Sequence, residues 1–329
     1  MGINPSSIMN SQCADRKNEA KIFIAGHNGL VGNAVYNQLL SSGYKNLVTQ
    51  SRSELDLSNQ QVVDDFFQLE QPTVVINAAA KVGGIMANVD APYDFLLDNL
   101  RIQNNLISSS LKYDVKKFIF LGSSCIYPKH CSQPIKEEYL LSGELEPTNE
   151  YYAIAKIAGI KACEAANKQF DKNFISLMPC NLYGPNDNFH RTNAHVIPAM
   201  IRKFHEAKLS NHSSVKLWGT GTPLREFLYV EDVAKAIQFS IEKKLSASLY
   251  NVGSGEETSI KDLANLIKKI VGFKGEIIWE SSKPDGTPRK VLDSSKINSY
   301  GWKHTVDLAA GISRTYKWFL ENEETFRGS

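Results

Sequence analysis

The chain is 329 residues long, 42% apolar, 10% aromatic and 22% charged, which excludes collagen-like, disordered and coiled-coil classes and predicts one large core with a smaller attached lobe. With 37 Lys and Arg against 35 Asp and Glu, the formal charge of +2 offers no general attraction to nucleic acid or to anionic lipid. No apolar run approaches the ~18 residues that cross a bilayer, and Met1 to Ala20 lacks the hydrophobic segment of a secretion signal, so no membrane contact and a cytoplasmic location are expected.

A tail over residues 1–20 precedes Lys21 to Ala25 (KIFIA), an apolar run that leads through glycines into the periodic segment Leu30 to Leu40: strand, turn, helix. Asn46 to Gln50 and Thr73 to Ala79 read as further buried strands, with a helix over Asn59 to Leu69 between them. Lys117 to Ser123 and Phe174 to Asn181 continue the series, separated by helical stretches over Tyr93 to Lys112 and Tyr152 to Gln169. Such alternation predicts an α/β fold, a doubly wound parallel sheet over residues 21–182. Beyond it, Pro and Gly punctuation at Gly184-Pro185, Gly219 to Pro223 and Pro284 to Pro288 predicts a smaller lobe over residues 183–329. Helical Glu231 to Lys243 and strand-like Leu249 to Val252 return the chain to the sheet at about residues 226–255, and further helices are expected over His195 to Lys208, Ser259 to Val271 and Asp307 to Asn322. Cys13, Cys125, Cys131, Cys163 and Cys180 have no metal-like spacing and are expected to be free thiols, with no metal site.

The turn after the first strand, Gly26-His27-Asn28-Gly29-Leu30-Val31-Gly32, has G-x-x-G-x-x-G spacing. Glycines there permit a tight turn and close approach of backbone to a pyrophosphate, while the helix N-terminus supplies amides, so a dinucleotide site is expected. After the second strand, Gln50-Ser51-Arg52-Ser53 carries no carboxylate at the position that grips a ribose 2′-hydroxyl, and the Arg52 guanidinium suits a 2′-phosphate; an ordinary solvated arginine fits the same pattern. The reading favours NADPH/NADP+.

Tyr152 and Lys156 are four apart in a helical segment and share one face. A tyrosine titrates near 10, so about 4 kcal/mol must be supplied for its phenolate to form readily near neutral pH, and a neighbouring ammonium helps. Such a pair could protonate the alkoxide left by hydride transfer to a carbonyl, though a plain surface pair has the same spacing. Ser123, at the carboxyl end of the fourth strand where ligands of open parallel sheets collect, could hold the carbonyl oxygen. If the backbone stays extended there, Ser123 and Cys125 face one side and Ser124 the other.

Through its glycine turn, Ser123 and Tyr152-x-x-x-Lys156, the chain resembles the extended short-chain dehydrogenase/reductase family. Further blocks, Ala78 to Ile85 (AAAKVGGI), Gly122 to Lys129 (GSSCIYPK), Glu146 to Lys161 (EPTNEYYAIAKIAGIK), Asn181 to Phe189 (NLYGPNDNF) and Lys283 to Lys290 (KPDGTPRK), are similar to its GDP-L-fucose synthase branch over about residues 21–328. The resemblance implies an NADPH-dependent enzyme that turns GDP-4-dehydro-6-deoxy-D-mannose into GDP-L-fucose by 3,5-epimerisation and then 4-keto reduction. It implies a reductive triad of Ser123, Tyr152 and Lys156, with Cys125 and His195 moving protons during epimerisation. It places Gly26, Gly29, Leu30, Val31, Gly32, Arg52, Ala79, Lys156, Pro179, Asn181, Leu182 and His195 at the cofactor, and Lys203, Trp218, Arg225, Asp285 and Lys290 at the GDP-sugar. It also implies a homodimer paired through the helices at Tyr93 to Lys112 and Tyr152 to Gln169. Asn28 and Lys203 depart from the pattern, since arginine is frequent at both positions. Competing readings on the same fold are a nucleotide-sugar 4-epimerase, a 4,6-dehydratase or a non-catalytic NADP-binding protein. The dehydratases typically carry Asp-Glu where this chain has Cys125-Ile126.

Overall fold

The computed structural model describes residues 19–323 apart from Thr192 and Pro284, so the expected tail over 1–20 lies almost entirely, and Cys13 entirely, outside the described residues. The first half of the chain alternates as β1 (Ile22–Ala25), α1 (Leu30–Ser41), β2 (Leu47–Val48), α2 (Gln60–Glu70), β3 (Val74–Asn77), α3 (Ile85–Asp90), α4 (Pro92–Lys112), β4 (Lys117–Leu121), α5 (Glu150–Phe170) and β5 (Asn173–Pro179). It continues through β6 (Asn181–Tyr183), α6 (Val196–Leu209), β7 (Ser214–Trp218), β8 (Leu224–Tyr229), α7 (Val230–Glu242), β9 (Leu249–Val252), β10 (Glu257–Ser259) and α8 (Ile260–Val271). The last elements are β11 (Glu276–Glu280), β12 (Arg289–Lys290), α9 (Ser295–Asn298) and α10 (Leu308–Glu321).

Every residue of β1, β3 and β9 is buried, as expected of strands covered by helices on both faces. These strands form one parallel sheet in the order β2-β1-β3-β4-β5-β9. The order reverses between β1 and β3, the place where open α/β sheets leave a crevice beyond their carboxyl ends. Helices flank the sheet in two groups, α1 with α7 and α2 with α4 and α5. The first pair is tied by Gln38 Nε2 donating to Gln238 Oε1 at 2.7 Å, and Lys117 caps the end of α7 through the carbonyls of Ser240 at 2.7 Å and Ile241 at 2.9 Å.

A second apolar core gathers Tyr183, Phe189, Ile201, Phe204, Ile267 and Phe319 from elements outside that sheet. Its strands are short: β7 pairs with β11, while β8 pairs with β10, β12 and β6. The chain passes between the cores repeatedly. After β8 it rejoins the large sheet through α7 and β9, and after β12 Leu292, Ile297 and Trp302 pack on the first core before α10 returns to the second.

Candidate active site

The glycine turn is built by close approach. Gly26 has φ +85°, and a Cβ there would lie 2.7 Å from the Ala79 amide nitrogen; a Cβ on Gly32 would lie 2.1 Å from the Gly26 carbonyl oxygen. Gly29 is the N-cap of α1, no side chain among the described residues caps that helix and its first turn holds no acid, so the amides at Leu30, Val31 and Gly32 begin a helix with an uncovered positive end. This cradle fits a dinucleotide pyrophosphate. Arg52 is exposed on the turn after β2; beside it the Glu54 carboxylate accepts from the Ser51 amide at 2.8 Å and hydroxyl at 2.7 Å. Across the crevice, Pro179 ends β5, Leu182 packs on the main core, and the Asn181 amide donates to the Glu226 carbonyl at 2.8 Å.

At the end of β4 the chain does not stay extended as the sequence suggested. Ser123 is extended (φ −154°, ψ 147°), but Ser124–Ile126 closes into a 3-10 turn, with the Cys125 amide 3.4 Å from the Ser123 hydroxyl. Strict alternation of faces therefore fails, and both Ser124 and Cys125 are buried. Above this turn lies α5. Its Lys156, 3% exposed, donates to the Leu121 carbonyl at 2.9 Å, and the ammonium sits 4.9 Å from the Phe120 ring centre and 5.8 Å from that of Tyr152. Phe95 of α4 meets Tyr152 edge-on at 6.3 Å.

Burial pushes the Lys156 pKa down to about 8, against the pull of the Cys125 thiol. Burial also raises the Tyr152 phenol, with Cys125 adding to the rise. The Cys125 thiol is itself raised by burial, opposed first by Lys290, then by the Ser123 hydroxyl and Lys156. No hydrogen bond or ion pair joins His195 to this cluster among the described residues. His195 occupies the N-cap position of α6 without a side-chain capping bond, so a plain helix cap is not its role. The backbone before it passes 3.8 Å from where a Cβ on Gly84 would stand. His195 is exposed, and desolvation by the protein around it lowers its pKa.

On the second core's side, Arg225 and Lys290 are register partners on the parallel strands β8 and β12. Lys203 of α6 is half-buried without a hydrogen bond or ion pair among the described residues. Trp218 is 56% exposed, with the Lys283 ammonium 5.4 Å over its ring. Asp285 is engaged by its own loop system: it accepts from the Thr220 amide at 2.7 Å and hydroxyl at 2.8 Å, which hold its carboxyl below the ordinary range.

The family model for the NAD dependent epimerase/dehydratase family matches residues 22–253. The chain belongs to this family. It is 55% identical over 322 residues to a putative GDP-L-fucose synthase 2 of Arabidopsis thaliana, covering 98% of each chain. It is 51% identical to the GDP-L-fucose synthase of Escherichia coli K12, covering 94% of this chain and 99% of that one. A crystal structure of a GDP-L-fucose synthetase from Naegleria fowleri bound to NADP superposes with a TM-score of 0.88 at 31% identity, covering 94% and 95% of the two chains. The parallel sheet with flanking helices is the fold of this epimerase/dehydratase family.

Several residues that shape the site are not among those the sequence singled out for a role. The Lys81 ammonium bridges Asp94 at 2.9 Å and Asp98 at 3.0 Å, and Asn99, 2% exposed, clasps the Lys81 backbone through both amide ends at 3.0 Å, fixing the loop before Gly83 and Gly84. Tyr127 donates to Asn251 at 2.6 Å, and the Asn251 amide donates to Glu137 at 2.8 Å, pinning the segment after Cys125 to β9. Glu226, 0% exposed, accepts from the amides of Gly255 at 2.7 Å and Leu292 at 2.9 Å, joining β8 to the loops that follow β9 and β12. A lone acid directly before the apolar run Phe227 to Val230 was the available clue.

Of the cysteines expected to be free, Cys125, Cys131, Cys163 and Cys180 are unpaired. No group of three or more His, Cys, Asp or Glu among the described residues is arranged to hold a metal, and none of their helices is long and apolar enough to cross a membrane.

Proposed function

We propose that this chain makes GDP-L-fucose from GDP-4-dehydro-6-deoxy-D-mannose, inverting C3 and C5 and then reducing the C4 ketone with NADPH in one pocket. The observation that carries this reading is the Cys125 thiol buried within electrostatic range of Tyr152 and Lys156. Reduction alone has no use for a thiol at that place, whereas a ketone that acidifies the hydrogens on both neighbouring carbons gives it a task. The relatives named GDP-L-fucose synthase support the same substrate.

In this reading Gly26, Gly29, Leu30, Val31, Gly32, Arg52 and Ala79 hold the nucleotide end of NADPH, and Lys156, Pro179, Asn181, Leu182 and His195 its other end; when bound, it supplies the hydride for C4. Ser123 holds the ketone oxygen. Cys125 as thiolate takes a proton from carbon and protonated His195 returns one to the opposite face; before the second centre inverts, the thiol gives its proton to solvent and the imidazole takes one up, which resets both groups. Tyr152 then gives its phenolic proton to the oxygen at C4, and Lys156 stabilises the phenolate that remains. Lys203, Arg225 and Lys290 suit the diphosphate, Trp218 offers a ring face for stacking, and Asp285 shapes the loop they share.

Residues 21–182 with the return at about 226–255 form the cofactor domain, and the rest of 183–329 the substrate lobe. Exposed Tyr93, Tyr151 and Ile154 on α4 and α5 support pairing of two copies through those helices, and the working compartment is the cytoplasm. The test is turnover in heavy water with NADPH, followed by NMR of the sugar. Deuterium at C3 and C5 together with reduction at C4 is expected; reduction without deuterium marks a plain 4-reductase and overturns the proposal.

A further inference from the structure

The strand β12 is two residues long, and its register with β8 sets Arg289 beside Leu224 and Lys290 beside Arg225, so the side chains of Lys290 and Arg225 leave the same face. Neither is ion-paired among the described residues; Arg225 Nη1 donates to the Leu224 carbonyl of its own strand at 2.9 Å. The distance between these two charges is set by the distance between the strands. A ladder of two residues is a weak clamp for it.

Beyond Lys290 the chain leaves β8. The Val291 amide donates to the Gln133 side chain at 3.0 Å, and the Val291 carbonyl accepts from the Ile135 amide at 2.8 Å. The next amide, that of Leu292, turns back and donates at 2.9 Å to Oε2 of Glu226, the residue after Arg225. Oε1 of the same carboxyl accepts from the Gly255 amide at 2.7 Å. Because neighbours along a strand face opposite ways, Glu226 makes these bonds on the side away from the two cations. Arg289 adds a clip there, donating to both oxygens of Glu257 at 2.7 and 2.6 Å, but the arginine is exposed and the pair is screened. Glu226 is fully buried, where water cannot take the place of a lost acceptor.

We propose that Glu226 is a positioning residue for the GDP-sugar: by holding the Leu292 amide it keeps β12 against β8 and so sets the spacing of the Lys290 and Arg225 charges that meet the diphosphate. This rests on the reading of those two residues as the diphosphate site. Without the hold, the segment after Lys290 follows its bonds to residues 133–135 and draws Lys290 away from Arg225. Ser123, Tyr152 and Lys156 stand on other elements, so the effect falls on nucleotide binding and not on the chemical step.

GDP itself is the probe, which separates binding from turnover. Glu226→Leu removes both acceptors at similar volume. Gly253→Ala keeps the carboxyl but displaces it, since a Cβ there would lie 2.1 Å from Oε1, and it serves if the first variant does not fold. In either, the Kd for GDP measured by calorimetry should rise about tenfold while that for NADPH stays within about twofold. For the GDP-sugar, KM should rise by the same factor with kcat unchanged. Hydrogen exchange resolved to single amides should quicken at Leu292, and across the variants the loss of GDP affinity should follow exchange at Leu292 and not at Gly255. Faster exchange at Leu292 with an unmoved Kd for GDP overturns the proposal and leaves Glu226 a purely structural acid. Wild-type protein that binds no GDP removes the diphosphate site on which it rests. If GDP binding weakens as expected but no GDP-sugar is turned over, the positioning role stands and the proposed function falls.

Discussion

The Lys156 ammonium and the Leu121 carbonyl oxygen are 2.9 Å apart, a direct tie between the helix that carries Tyr152 and the strand end that carries Ser123. The bond holds the reductive groups in one geometry and depends on a donor that stays protonated. With burial bringing Lys156 down to about 8, the charge that stabilises the phenolate is present below that pH and is lost above it. The kcat for reduction should fall as pH rises through about 8, and Lys156→Met should lose most of the reduction across the whole range. A profile flat to pH 10 would contradict this.

Tyr152→Phe removes the proton donor and leaves the edge-on contact with Phe95 in place. Loss of a positioned acid costs about 10²–10⁴-fold in rate. Reduction should drop by that order while deuterium exchange at C3 and C5 continues, separating the two half-reactions in a single NMR series.

Gly32→Ala places a methyl 2.1 Å from the Gly26 carbonyl, against backbone rather than a flexible side chain. The glycine turn must shift to admit it. NADPH affinity should fall at least tenfold, with about 1–3 kcal/mol lost from stability, measured by fluorescence titration and thermal melting.

Glu226 is buried against backbone amides, with no cation on it among the described residues, and burial raises its pKa from 4.5 to about 7. The folded state therefore holds this proton more tightly than the unfolded chain does. The stability it contributes is full below about pH 4.5 and is lost as pH rises through about 7, a change on the order of 3 kcal/mol. Glu226→Gln should flatten that dependence, lowering the melting temperature below about pH 5, where one amide loses its acceptor, and not above about pH 7, where the wild type carries a buried charge. Parallel melting curves of the two proteins across this window check it.

Much of the fold was legible because strands sealed on both faces must be apolar throughout, and KIFIA or TVVINAA can be little else. The glycine turn and Tyr152 to Lys156 were legible because their parts are local, separated by one helical turn or less. The strands of the second core were not. In β7, Val215 and Leu217 point inward while Lys216 and Trp218 point out, a pattern too short to stand clear of its neighbours. The turn at Ser124–Ile126 escaped an argument that simply extended β4. Glu226 and Asn99 act through contacts distant in sequence, which no spacing rule anticipates.

The repeated passage of the chain between its two cores has a mechanical consequence. A cleft hinged on one connection can swing; here the chain crosses the same seam from β8 into α7, from β9 into β10 and from β12 into the segment Leu292 to Trp302, and Glu226 rivets two of the crossings. Rotation of one core against the other would have to bend every strap at once. Several crossings thus share the strain of any change in the distance between the two cores.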